Sequence, residues 1–326
     1  MSIVKFYDST ESARLALDSE KPELAFSDAI KGVDLSDAQQ TISFLAPQLM
    51  RVEQSIYMVK YPDANYAEFV PVDTTGTVWT AGSIFYSGDV AGKAEWFDVA
   101  ADDMPYADFA RTQFLQENHM AGIGYKWNRM DLERAQQLGT DILTQKSGAA
   151  TKVAERFLHK AAMTGDGVKF ATGFINNPLA TSVAAGATLA ASTPDVCVTI
   201  VNTALTSVEV NTGETFLADT LLLPTAVYNG LASRRMTDTN MTVLAYIQAN
   251  AVVPNLTIKK TRHLTTSMMT YANTPEVHKF HLPGGGHQFF PLHQKGSFSW
   301  EVPGIMSTGG YENRIPKAIT ITTGVA

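Results

Sequence analysis

"TDILTQKSGAATKVAERFLHKAAMTGD", residues 140–166, is the stretch on which the architecture turns. Thr140 can cap a helix with Asp141 in its first turn, because a side-chain oxygen satisfies free backbone N–H groups and a negative charge suits the positive end of the helix dipole. Ile142, Ala149, Val153, Phe157 and Ala161 then fall mainly at spacings of four, which predicts one apolar face, with Lys146, Lys152, Glu155 and Lys160 opposite. At ~1.5 Å per residue a helix over 140–164 is roughly 36 Å long, enough to run the width of a domain. Gly165-Asp166-Gly167 comes after it. A phosphate loop follows a strand and precedes a helix, so these glycines are expected to stop the helix rather than cradle a phosphate.

Downstream, the small-residue stretch "ATSVAAGATLAAST" (180–193) reads as a linker, and Pro194 opens a second helix. Its apolar stripe is Cys197, Ile200, Val201, Ala204, Leu205 and Val208, which places Cys197 inside. Then come a buried strand in "TFLADTLLLP", short helices from Pro224 and from about Met241, and strands near 256–263 and 268–272. Such alternation predicts a mixed sheet covered by helices. Upstream, residues 1–45 form a polar arm too poor in apolar residues to fold alone. Residues 68–99 alternate β-branched or aromatic residues with small ones, punctuated by Gly76, Gly82, Gly88 and Gly92. This is an extended two-stranded excursion, in which Gly88 and Gly92 are turn glycines. An isolated hairpin is marginal in water, so Trp79, Phe85, Tyr86, Trp96 and Phe97 require a second surface.

Composition removes several functions. The 326 residues carry 25 basic and 32 acidic side chains, a formal charge of -7, so contact with DNA is expected to be weak and unselective. No apolar run reaches the ~18 residues of a membrane span, and "MSIVKFYDSTESARLALDSEK" has acidic residues where a signal peptide has its apolar core. A soluble protein of a reducing cytosol is expected, with the lone Cys197 as core filler rather than nucleophile.

Catalytic chemistry finds little footing. Four of the seven histidines lie in "HKFHLPGGGHQFFPLHQKG", 278–296, but His278 and His281 are oddly spaced in a strand and so face apart, while Pro283, Gly284–Gly286 and Pro291 separate His281, His287 and His293. Neither a helical His-x-x-x-His nor a Cys-x-x-Cys pair is present, so a turn between strands is expected and no metal or other cofactor. The neighbours Asp102 and Asp103 read as a solvated turn before Pro105. A folded scaffold, an arm and an aromatic hairpin without a catalytic group are the profile of an assembly protein, not an enzyme.

"VKYPDANYAEFVPV" (59–72), "YSGDVAGKAEWFDVAADDMPYAD" (86–108), "YKWNRMDLERAQQLG" (125–139), the 140–164 helix and "MTGDGVKFATGFINNP" (163–178) together resemble the major capsid proteins of tailed bacteriophages. The likeness is to the branch with the Hong Kong 97-type fold that is related to encapsulins. The C-terminal "STGGYENRIPKAI" (307–319) is similar to the family's closing gly-gly, arginine, proline pattern. The resemblance implies an α+β capsid fold: an N-terminal arm (1–45), a peripheral domain (46–69 and 106–179) with the spine helix, an extended loop (70–105), an axial domain (180–270) with mixed sheet and helices, and closing strands (271–326) shared between the two domains. It implies pentamers and hexamers closing into an icosahedral head around double-stranded DNA, with scaffolding, portal and decoration proteins as further partners, assembled in the host bacterial cytoplasm and resident in the virion. Trp79, Phe85, Tyr86, Gly88, Gly92, Lys93, Trp96 and Phe97 become the assembly loop, and Ile142, Val153, Phe157 and Ala161 the packed face of the spine helix. Some relatives crosslink a loop lysine to a neighbour's asparagine; Lys93 is the only lysine between Tyr61 and Tyr125, but no motif marks its partner, so no crosslink is expected. The rival readings are an encapsulin-like nanocompartment shell and a soluble metalloenzyme using the histidines.

Overall fold

A computed structural model describes residues 62, 64–96, 106–137, 139 and 141–326. The polar arm, Phe97, the Asp102–Asp103 pair and Thr140 lie outside these. The chain divides into two compact units, Met1–Asp63 with Asn128–Gln145, and Ala64–Trp127 with Lys146–Ala326. In the first, a helix spans Arg129–Gln137, with Arg129 Nε 3.0 Å from Glu133 Oε1 one turn on.

The predicted spine helix runs Ile142–Met163, about 33 Å at 1.5 Å per residue. Its start is held by Asp141, whose Oδ1 accepts the N–H groups of Leu143 and Thr144 at 3.1 and 3.2 Å. It stops as expected. Gly165 and Gly167 take φ of +80° and +77°, and the Asp166 carboxylate between them accepts three successive N–H groups, from Val168, Lys169 and Phe170. The buried face, however, is displaced by one residue from the prediction. It consists of Ala150, Ala154, Leu158, His159, Ala161, Ala162 and Met163, so that of the residues named from sequence Ala161 is buried; Ala149 is exposed, Val153 is 45% exposed, and Ile142 and Phe157 are partly covered. Alanines let the helix approach its neighbours closely, so they occupy the inner face although Val153 is more apolar.

A five-stranded sheet forms the heart of the larger unit, in the order Thr181–Ala184, Ile319–Thr323, Ser267–Tyr271, Thr220–Pro224, Thr257–Thr261. The first two strands pair in parallel, as do the last two; the central pairings are antiparallel. The expected linker at 180–193 therefore begins as an edge strand, because the C-terminal strand offers its backbone a partner. The helix Pro194–Thr212 covers the sheet with the six side chains the periodicity named, and Thr270 Oγ1 donates to Ala204 O at 2.9 Å across the layer. The short helices are Thr225–Ser233 and Val243–Ala249. A smaller sheet joins Val72–Asp73, His278–His281 and Gly310–Asn313. Among the described residues no helix is long and apolar enough to cross a membrane.

Candidate functional site

The extended excursion exists, with different bounds. Gly82–Ala91 pairs antiparallel with Asp108–Glu117, from Gly82 opposite Glu117 to Ala91 opposite Asp108. The return strand thus lies beyond the expected limit of 105. Side chains alternate along a strand, so this register puts Ile84, Tyr86, Gly88 and Val90 on one face with Phe109, Arg111, Gln113 and Leu115. That face is bare in the single chain: Ile84 is 53% exposed, Tyr86 60%, Val90 72%, Phe109 54% and Leu115 60%. The Arg111 guanidinium lies 5.6 Å from the Tyr86 ring centroid and 5.8 Å from that of Phe109, a cation over two aromatic faces. Five large apolar side chains around an arginine on one exposed ladder have the composition of an interface centre.

Of the residues named from sequence, Tyr86 lies on this face. Phe85 lies on the other, stacked on Phe114 at 5.1 Å and 14°. Gly88 is not in a turn; it sits mid-strand, where a Cβ would come within 2.1 Å of the Phe109 ring, so its absence lets that ring lie across the strand. Gly92, with φ +155°, follows the last paired residue and lies against Ala107. Lys93 is solvated and pairs with Glu95 at 2.9 Å. Trp79 precedes the hairpin, 6.4 Å from Phe290, and Trp96 is fully exposed beyond the first strand. Phe109, Arg111 and Leu115 were not foreseen, although the period-two pattern of "DFARTQFLQE" (108–117) carries the signal.

The hairpin root meets the smaller sheet. The Gln116 side-chain amide donates to Gly309 O, and a Cβ on Gly309 would lie 2.5 Å from Asn118 Oδ1 and 2.9 Å from His281 Cβ, so the gly-gly pair permits this approach. Arg314 Cζ lies 4.6 Å from the Phe85 ring centroid, and its Nε donates to Glu312 Oε1 at 2.7 Å. Glu312 Oε2 meets His281 Nε2, His281 Nδ1 is 3.8 Å from Asp73 Oδ2, and Asp73 pairs with Lys279. Burial raises the Glu312 carboxyl, but its bonds to His281 and Arg314 outweigh this and hold it below the usual carboxylate range.

Each histidine of the 278–296 stretch has its own surroundings. His278 sits in an aromatic box of Phe174, Tyr271 and Tyr311, where burial pulls its pKa down to about 3. His281, on the opposite face of the same strand, meets Glu312 and Asp73. His287 Nε2 donates to Ile123 O at 2.8 Å, and His293 pairs with Glu301 at 2.7 Å on the surface. Gly284, Gly285 and Gly286 between them all have positive φ. Among the described residues no group of three or more histidine, cysteine or carboxylate side chains is arranged to hold a metal ion. Cys197 is fully buried, which raises its thiol pKa. The basic stretch "KKTRH" (259–263) is partly engaged within the subunit: the Lys259 ammonium donates to Glu68 O and Lys260 lies 5.6 Å over the Tyr228 ring.

No curated protein sequence matches the chain. Solved structures do: the capsid of Myoviridae phage XM1 (17% identity, TM-score 0.75, covering 86% of this chain and 98% of that one), the capsid of a native GTA particle (11%, 0.58, 94% and 99%) and Microbacterium phage Oxtober96 (10%, 0.57, 89% and 99%). The fold is therefore the α+β, Hong Kong 97-type fold of phage capsid proteins, and neither the nanocompartment nor the metalloenzyme is favoured. A family model described as "Major capsid protein" matches residues 92–325, well over half of the sequence. On that match, the chain belongs to the major capsid protein family.

Proposed function

We propose that this capsid subunit associates as pentamers and hexamers that close into an icosahedral head around double-stranded DNA, with the hairpin 82–117 as its principal clamp on the neighbouring copy. The observation that carries the reading is the bare face of Ile84, Tyr86, Val90, Phe109 and Leu115 around Arg111. A two-stranded ladder cannot cover that face itself, and a standard interface buries ~800 Å² per partner around a few such anchors. In a ring of like subunits each copy gives one surface and receives another, and closure holds each modest contact at high effective concentration. In this reading 1–45 acts as the N-terminal arm, the segment around the spine helix as the peripheral domain and 180–270 as the axial domain, with 108–117 assigned to the extended loop because it pairs with 82–91. Scaffolding, portal and decoration proteins are the expected partners during assembly in the host cytoplasm. The DNA is held without sequence preference, in keeping with a formal charge of -7.

Leu115→Asp tests the clamp, since it places a charge on the root end of the bare face, opposite Ile84, and away from the five-stranded sheet. Electron microscopy of the purified variant should show capsomers or single subunits where the unaltered protein gives uniform shells. Normal shells from Leu115→Asp would remove this face from the interface.

A further inference from the structure

We infer that Arg314 is a positioning residue that sets the direction of the hairpin relative to the subunit body. The inference rests on the reading of the hairpin as the clamp on a neighbouring copy. A blade ten residue pairs long can seat on its neighbour only if its root is held at one angle, because a small rotation at the root displaces the far end by many ångströms.

The root is held by a chain of polar contacts. Glu312 is 5% exposed and lies opposite Lys279 in the smaller sheet, and its two oxygens go to His281 and to Arg314. His281 faces Asp73, which pairs with Lys279, so all three strands of that sheet contribute a member. The guanidinium is thereby fixed through its Nε, and its Cζ lies 4.6 Å over the ring of Phe85, which is stacked on its cross-strand partner Phe114. Arginine suits this task. Its guanidinium can donate to the body through Nε while the same group lies over a ring of the blade; a lysine ammonium, a compact point charge, does this less well. Arg314 is partly exposed and is not part of the buried core cluster, so its contribution is to orientation more than to the fold.

The test compares Arg314→Gln, Arg314→Lys, Phe85→Leu and the double variant Arg314→Gln/Phe85→Leu in the full chain. Amide hydrogen exchange on dissociated subunits should be about tenfold faster at 83–86 and 113–116 in Arg314→Gln, with 220–224 unchanged. The yield of shells of normal diameter should fall by about the same factor, with open or irregular particles in their place. Phe85→Leu should reproduce both effects, and the double variant should be no worse than either single one, as expected of two ends of one contact. Arg314→Lys retains a cation beside Glu312, so it keeps the inference testable if the glutamine variant unfolds, and it should share the shell defect. Unchanged exchange with normal shells in Arg314→Lys, or additive losses in the double variant, would overturn the inference. Excision of the hairpin separates the two ideas. If excision leaves normal shells, the clamp reading fails; if it abolishes them while Arg314→Lys assembles normally, the clamp stands and the role of Arg314 falls.

Discussion

The strand Thr220–Pro224 and the strand Gly82–Ala91 are each paired along their whole length with a neighbouring strand, yet they stand in opposite relation to water. In the first every residue is buried, and Leu221, Leu222 and Leu223 are completely covered between helices and neighbouring strands. In the second, twice as long, Ser83, Phe85 and Gly82 are partly covered and the other residues are exposed. Thr220–Pro224 has a strand on each side and Gly82–Ala91 on one side only, so the hairpin leaves an open edge as well as an open face. Each fully buried leucine contributes about 1.5–3 kcal/mol to the subunit's own stability, whereas an exposed leucine reserves that contribution for whatever later covers it. One ladder is a core, and the other is half of a contact.

The comparison breaks most visibly if the hairpin is removed. Replacing 83–116 with a short Gly-Ser turn should abolish closed shells while the melting transition followed by circular dichroism moves by only a few degrees. Shells that still close would show that the hairpin is dispensable, and outright unfolding would place it in the subunit core. The next largest effect is the same kind of deletion made in the two regions. Leu222→Ala should cost the isolated subunit about 2–5 kcal/mol in denaturant unfolding, for the lost burial and the cavity, and Val90→Ala no more than about 0.5 kcal/mol. Similar losses at the two sites would erase the distinction.

A smaller effect comes from pH. His278 has a folded pKa of about 3 against about 6.5 for an unfolded histidine, so the unfolded chain binds the proton first. Its contribution is complete above pH 6.5 and is lost as pH falls toward 3, at about 1.4 kcal/mol per pH unit. The carboxyls held low in the native state, Glu312 and Asp73, act in the same direction but begin at lower pH. Urea unfolding between pH 6.5 and 5 should show this slope in the natural protein and a flatter one in His278→Phe; equal slopes would mean that the aromatic box does not exclude the proton. The smallest effect belongs to the exposed Lys93–Glu95 pair. Lys93→Ala should change subunit stability by less than about 1 kcal/mol and leave assembly intact, unless Lys93 takes part in a covalent link, which mass spectrometry of denatured shells would reveal.

What could be read from the sequence was whatever depends on neighbours within a few turns. The helix over 194–212 shows its buried stripe because Cys197, Ile200, Val201, Ala204, Leu205 and Val208 repeat with the helical period. The helix stop at Gly165-Asp166-Gly167 and the buried run in "TLLLP" are equally local. The separation of the histidines followed from strand parity and the intervening prolines and glycines.

What needed the tertiary structure was every choice among partners distant in the chain. The first hairpin strand takes its mate from 108–117, since a register of ten pairs is set by the whole ladder and by the anchorage of Gln116 and Phe85 on the 309–314 segment. The small-residue stretch after 180 becomes a strand only because residues 320–323 lie beside it. The inner face of the spine helix holds Ala150, Ala154, Ala161 and Ala162 together with Leu158, His159 and Met163, while the apolar Val153 is left outside, because which side of the helix meets the body is set by the packing of the whole chain. The chain of polar contacts from Lys279 through Asp73, His281 and Glu312 to Arg314 joins residues up to 241 positions apart, 314 minus 73. Local sequence determines which segments become helices and strands, since backbone propensity and side-chain period act over a few residues; which segments meet, and which surface remains for the next subunit, is decided by packing the whole chain at once.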